Sequence, residues 1–366
     1  MLNMLLAIIG MLSLFASSAS ATYGCLDNEG KGVAWWFTLK FPNGYEIAYH
    51  DANSPTTKTL RPFERPLDDK DEPVALIRTL RSLLSSQERK HGGDYKASNS
   101  PSLNASDSGS AYFMYSDQPD NGNPGRHYGH TKGVVSVDGA SSFFIMHSTP
   151  NFPSSDGRKG FYFPEGEITY GQTFICLSLE SDDIETLAQQ LLYTTPYVYK
   201  NTLSATLTKK YPSLVKVFDG DWVRDAGTST AKFSVGGHYF YSLAKNGAWN
   251  DDLYEGLVAP HFDSDFLVES WIRGSAEGPY CKKDKYDYEI LDVQMMQVHT
   301  DSGDNITWSE GQDHAKWAVS LDGNDLCIAD INRMTTQRAR GGGAICVSDA
   351  KLSALLYNSI LTSDTC

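Results

Sequence analysis

One pattern occurs twice in the chain. His130-Thr-Lys-Gly-Val-Val-Ser-Val-Asp-Gly139 and His314-Ala-Lys-Trp-Ala-Val-Ser-Leu-Asp-Gly323 agree at six of ten positions. Both keep His-x-Lys, then a short apolar run, then Asp-Gly. On a β-strand, residues two apart point to the same face, so His130 projects with Lys132 and His314 with Lys316. Two such strands paired about an approximate two-fold axis gather two imidazoles and two ammonium groups in one pocket. That set suits a phosphodiester. The ammoniums neutralise the non-bridging oxygens, whose charge grows on in-line attack. One neutral imidazole attacks phosphorus, and the other, protonated, gives its proton to the leaving oxygen. The lysines and the imidazolium supply the positive charge that a metal otherwise brings, so neither metal nor cofactor is expected. Because one histidine must be neutral and the other charged, activity is expected to peak in mild acid.

The N-terminus bounds the compartment. Residues 1–16 carry no charged side chain and are followed by Ala19-Ser20-Ala21, a signal-peptidase pattern. We expect residues 1–21 to be a signal peptide and the mature chain to follow an oxidising route, lysosomal or secreted. Six cysteines then read as three disulfides with fifteen possible pairings, which sequence alone does not choose. Asn104-Ala-Ser106 and Asn305-Ile-Thr307 are glycosylation sequons, expected on loops. With 45 acidic against 31 basic side chains, the chain is unlike one that coats nucleic acid at neutral pH. The objection weakens in mild acid, near its isoelectric point. No later stretch is apolar enough to cross a membrane.

The pattern of apolar residues predicts strands over 33–41, 45–49, 133–137, 143–146, 233–243, 289–299 and 316–321. It predicts helices over 73–90, 182–193 and 349–361, the last capped by Ser348. Residues 94–127, rich in Ser, Asn, Asp, Gly and Pro, read as a long surface loop. Residues 194–215 read as the connection between halves 22–195 and 196–366. Strands mixed with helices in both halves indicate an α/β fold.

Several strings go further. Trp35–Pro42, Gly129-His-Thr-Lys-Gly133, His147-Ser-Thr-Pro-Asn-Phe-Pro153 and Thr169-Tyr-Gly-Gln-Thr173 occur in order. They are followed by His314-Ala-Lys-Trp317, Asp330-Ile-Asn-Arg333 and Arg340-Gly-Gly-Gly343. In these strings the chain resembles the deoxyribonuclease II family, across most of its mature length. The resemblance implies a phospholipase D-like architecture: two pseudo-symmetric α-β-α halves with mixed sheets, forming one central active site. It implies an acid endonuclease that needs no metal, leaves 3′-phosphate ends and passes through a phosphohistidine. Carried over, His130 is the nucleophile and His314 the acid, or the reverse, with Lys132 and Lys316 holding the phosphate. The implied disulfides are Cys25–Cys176, Cys281–Cys366 and Cys327–Cys346.

Other residues are weighed beside these. His147 closes an apolar strand and is expected near His130 across a hairpin. Asn332 lies where the wider superfamily places a phosphate-contacting Asn. Asp138 and Asp322 fall one residue too late for the superfamily motif and read as turn residues before Gly. Arg338, Arg340 and the glycines after them form the one basic, glycine-rich patch, suited either to a DNA strand or to a packed loop. The expected partner is DNA, held through its phosphates with little sequence preference, at a site complete within one chain. The rival readings are a phosphodiesterase of the same architecture acting on RNA or phospholipid, and a non-catalytic DNA-binding paralogue.

Overall fold

The computed structural model describes residues 24–83, 111–138, 141–156, 161–203, 205–283 and 285–366. The segment expected to be a signal peptide and the sequon Asn104 lie outside the described residues. Strands dominate, in two large sheets. The first runs Ile47–Asp51, Trp35–Lys40, Gln172–Leu179, Ser142–His147, Lys132–Val137, Ala111–Ser116, Val198–Asn201, and every pair in it is antiparallel. The second runs Thr228–Val235, His238–Lys245, Gly342–Ser348, Asp325–Ala329, Trp317–Ser320, Phe266–Glu269, Tyr286–His299, Tyr280–Lys283. Among the described residues its one parallel strand pair joins Phe266–Glu269 to Tyr286–His299. The first sheet is therefore not mixed as expected. Its neighbours are joined largely by hairpins, which pair strands antiparallel.

Period-two alternation sorts the side chains. One face of each sheet meets the other in the main core: Trp35, Phe37, Val135, Ile175 and Leu177 against Trp317, Val319, Leu326, Ile328 and Ile345. The helices Asp183–Thr194 and Ala350–Tyr357 add Ile184, Leu187, Leu191, Leu352 and Leu356 to it. The outer face of the first sheet packs under the helix Ala75–Arg81 through Leu76, Ile77 and Leu80. The outer face of the second packs under Tyr254, Val258 and Ala259. Disulfides join Cys25 to Cys176, Cys281 to Cys366 and Cys327 to Cys346.

Several expectations change. Ala111–Ser116 is a strand inside the stretch read as loop, because Tyr112-Phe-Met-Tyr115 supplies an apolar run that polar neighbours obscure. Residues 84–110 lie outside the described set. The span 233–243 is not one strand: Gly236 and Gly237 take φ of 58° and 81° and fold it into a two-residue hairpin. The connection 194–215 holds a strand, Val198–Asn201, that pairs with Ala111–Ser116, and the helix Ala205–Lys210. A further helix begins there at Pro212. The last helix spans Ala350–Tyr357 and is capped by Asp349, whose carboxylate accepts from Lys351 N and Leu352 N. Ser348 instead donates its hydroxyl to Asp325. Asn305 is exposed and opens the strand Asn305–Ser309 rather than lying in a loop.

Candidate active site

Both His-x-Lys segments stand at the entrance to a central strand, Lys132–Val137 in one sheet and Trp317–Ser320 in the other. Each is docked on a loop of the opposite sheet. His130 N–H donates to Gly341 O and His314 N–H to Gly171 O, both at 2.9 Å. Glycine is needed at these crossings. A Cβ on Gly129 would stand 1.9 Å from Thr194 O, and one on Gly171 would stand 2.2 Å from Asp313 Oδ1. Lys316 N–H reaches Thr173 Oγ1 at 3.4 Å, a further link across the sheets. The four residues share one electrostatic environment: the Lys132 charge acts on His314 and Lys316, and the Lys316 charge acts on His130.

Their neighbours differ. Asp117, the residue just after Ala111–Ser116, accepts from Lys132 Nζ at 2.6 Å and from Arg340 Nη2 at 2.9 Å, and pairs with His130 Nδ1 at 2.8 Å. Arg340 is fixed in turn by the carbonyls of Tyr128 and Gly129. Burial works to raise the Asp117 carboxyl, but His130, Lys132 and Arg340 together hold it well below the usual range. Burial, aided by Lys132, lowers His130 to about 3 despite the pull of Asp117. Its ring is therefore neutral in mild acid.

His314 lies between aromatic rings. Tyr170 stacks on it at 3.9 Å with an interplanar angle of 8°, and Trp271 sits 4.1 Å away. Glu167 lies 3.7 Å from its Nδ1, and among the described residues Nε2 is buried without a partner. Burial lowers His314 below its ordinary value, with Glu167 opposing and Lys316 assisting. Burial and the facing Lys132 lower Lys316 to about 7, against the pull of Asp313, Asp117 and Asp330. Its ammonium donates to His314 O at 2.6 Å.

The supporting residues fall as follows. His147 is buried against Phe152 and Phe174, and burial followed by the charge of Lys132 lowers it to about 3. Among the described residues no hydrogen bond or ring contact joins it to His130. Asn332, two residues beyond Asp330, is buried, and among the described residues its Oδ1 has no partner. Burial raises the Asp330 carboxyl to about 6; Lys132 and Lys316 act on it, and Gly343 N–H donates to it at 2.7 Å. Arg338 and Arg340 do not form an open patch. Arg338 pairs with Glu277, Asp251 and Glu255, and Arg340 enters the site. Sequence reasoning missed Asp117, Tyr170, Glu167 and Trp271. Tyr170 was within a quoted string, whereas Asp117 sat in the stretch read as loop and Trp271 had no motif at all.

Compared with known proteins, residues 24–366 match the profile of the family described as deoxyribonuclease II. The chain is 30% identical over 378 residues to plancitoxin-1 of Acanthaster planci, covering 97% of this chain and 96% of that one. It is 29% identical over 385 residues to deoxyribonuclease-2 of Caenorhabditis elegans, covering 98% of each. To deoxyribonuclease-2-alpha of Sus scrofa it is 35% identical over 251 residues, 67% of each chain.

Proposed function

The chain belongs to the deoxyribonuclease II family, nucleases that act on phosphodiester bonds, and from that premise we propose an acid endonuclease that cuts DNA without a metal. The observation that carries this reading is the docking of each His-x-Lys segment on a loop of the other sheet, His130 N–H on Gly341 O and His314 N–H on Gly171 O, with Lys316 N–H reaching Thr173 Oγ1. His130 is the nucleophile. Asp117 takes its Nδ1–H, which leaves the Nε2 lone pair for phosphorus. Nε2 bonds to phosphorus, and the P–O5′ bond breaks. His314 gives its proton to O5′. Water then attacks the phosphohistidine with His314 as base, the P–N bond breaks, and a 3′-phosphate end leaves. Lys132 and Lys316 hold the non-bridging oxygens, and their charge opposes what develops there.

The pH range follows. His130 stays neutral well into acid. His314 takes its proton when the phosphate's negative charge arrives beside it. Lys316 keeps its charge only below about 7. His147 and Asn332 support the phosphate-binding lysines and the strand ends that carry the site.

The shared antiparallel run of four strands in each sheet and the reciprocal His–Gly hydrogen bonds support a phospholipase D-like pair of halves with the one site between them, although Val198–Asn201 completes the first sheet and so carries that half past the expected boundary at 195/196. A signal peptide at 1–21, glycosylation at Asn104 and Asn305, and a lysosomal or secreted destination complete the reading. The biological role is disposal of DNA in lysosomes or from dying cells. The test is purified protein offered plasmid, RNA and phospholipid vesicles at about pH 5 in EDTA. Plasmid cleavage abolished by His314→Ala in a folded protein is expected. Cleavage of RNA or lipid with intact plasmid would overturn the substrate, and turnover by folded His314→Ala would overturn the mechanism.

A further inference from the structure

The two half-sites can be compared position by position. Ser116 pairs with Lys132 in the first sheet. Glu269 pairs with Trp317 in the second, so one more step of that register sets Ser270 opposite Lys316. The residue after each serine is Asp117 in one sheet and Trp271 in the other. The glycines that accept the two histidine N–H groups are Gly341 and Gly171, and the residues before them are Arg340 and Tyr170. Even the buried ties correspond. Lys245 Nζ donates to the carbonyls of Arg338 and Arg340, and Lys40 Nζ to those of Ile168 and Tyr170. Equivalent places thus hold a carboxylate and a guanidinium against His130, but two aromatic rings against His314.

We infer that Tyr170 and Trp271 are positioning residues for proton donation: they clamp the His314 imidazole so that it delivers a proton to the leaving oxygen and does not compete as nucleophile. The inference rests on the proposed reading of His314 as the acid. An attacking imidazole needs one nitrogen tied to a carboxylate, so that the other presents a lone pair. His130 has that tie at 2.8 Å. His314 has only Glu167 at 3.7 Å, beyond a hydrogen bond. What fixes its plane is stacking. Ring faces also attract an imidazolium through their negative quadrupole. The clamp therefore orients the ring and favours its charged form once the phosphate has entered.

The test separates proton donation from general damage. One substrate is an oligonucleotide, whose alkoxide cannot leave without a proton. The other is a p-nitrophenyl ester of thymidine 3′-phosphate, whose nitrophenolate leaves without one and is read as a burst. Trp271→Ala and Tyr170→Ala should lower kcat on the oligonucleotide about 10- to 100-fold, with KM within about twofold, and change the nitrophenolate burst by less than about threefold. Tyr170→Phe, which keeps the stacked face, should retain the oligonucleotide rate. If alanine at 271 does not fold, Trp271→Leu fills the space without a π face and gives the same comparison. Equal losses on both substrates, or no loss on either, would overturn the inference. His314→Ala is the control. If it is selective for the oligonucleotide while the clamp variants are not, the clamp alone falls. If it too loses both equally, the acid assignment falls, and the clamp with it.

Discussion

Replacing Asp117 by asparagine removes one negative charge from a place where three cationic or protonatable groups converge. The carboxylate accepts from Lys132 Nζ at 2.6 Å and Arg340 Nη2 at 2.9 Å, and faces His130 Nδ1 at 2.8 Å. An amide offers one oxygen and one NH2 group in the same space. If the oxygen keeps Lys132, the NH2 group points at Arg340 and His130. Only a histidine with a bare Nδ1 can accept that donor, and such a tautomer carries its proton on Nε2, the atom proposed to attack. Loss of the correct tautomer in a comparable His–carboxylate pair costs about 10⁴ in rate, or about 5 kcal/mol of barrier. Stability falls as well. Breaking a buried pair by removing one partner's charge costs about 3–5 kcal/mol, and here Lys132 and Arg340 both lose their counter-charge. The assay is single-turnover cleavage of a labelled duplex in EDTA at about pH 5, with phosphohistidine trapped by an alkaline denaturing quench and located by mass spectrometry. A thermal melt shows that the variant is folded. Expected is a rate lower by about three to four orders of magnitude with DNA binding retained. A folded Asp117→Asn within tenfold of the parent would refute the assignment of His130 as an Asp-anchored nucleophile.

Two further outcomes follow from buried groups. Asp330 is moved from 3.8 to about 6, so the folded state holds its proton more tightly than the unfolded chain does. Its stabilising contribution is present below about pH 4 and is lost as pH rises through about 6. At about 1.4 kcal/mol per pH unit, Asp330→Asn should be more stable than the parent by on the order of 3 kcal/mol more at pH 7.5 than in acid, as read from urea melts. A difference that does not change with pH would show that the carboxyl is not shifted. Lys316, lowered to about 7 by burial and Lys132, should give kcat/KM an alkaline limb near neutrality, which Lys132→Met moves upward by removing the repelling charge. A limb unmoved in that variant would show that Lys316 does not set it.

The reach of the sequence reading follows the physics of each residue. The grouping of His130 with Lys132 and of His314 with Lys316 was read from strand periodicity, in which two residues apart means one face, but only Lys132 lies within a strand and the other three stand just before one. The paired faces of the core were legible for the same reason in runs such as Trp35-Trp-Phe-Thr-Leu39. Asp117 was not, because its place is set by pairing of Ala111–Ser116 with Lys132–Val137, and the first of these lies in a stretch whose composition argued for loop. Trp271 was not, because nothing local distinguishes it from a core tryptophan. Its neighbour in space, His314, stands before a strand further along the chain. Gly236-Gly237 misled by lying within an otherwise continuous β-rich run, where only the turn geometry reveals the break.

The reciprocal docking gives the repeat a consequence beyond doubling a motif. Gly341 O, which receives His130 N–H, belongs to the second sheet's loop, and Gly171 O, which receives His314 N–H, belongs to the first's. The same loops bring Arg340 to His130 and Tyr170 to His314. Each histidine is thus aimed by the sheet that does not carry it. A half-chain could form its own strands and still present its histidine without an anchor. Each loop is pinned by a buried lysine, Lys40 or Lys245, whose pKa burial lowers to about 8. In acid both ammoniums are fully charged, and three carbonyls converge on each. Above about pH 8 either can lose its proton, and with it one of its three donors and the charge that strengthens the rest. The loops are thus held by full charge below about pH 8, a range that includes the one in which Lys316 is charged and His130 is neutral, so the proposed chemistry and the fold that aims it are compatible in mild acid.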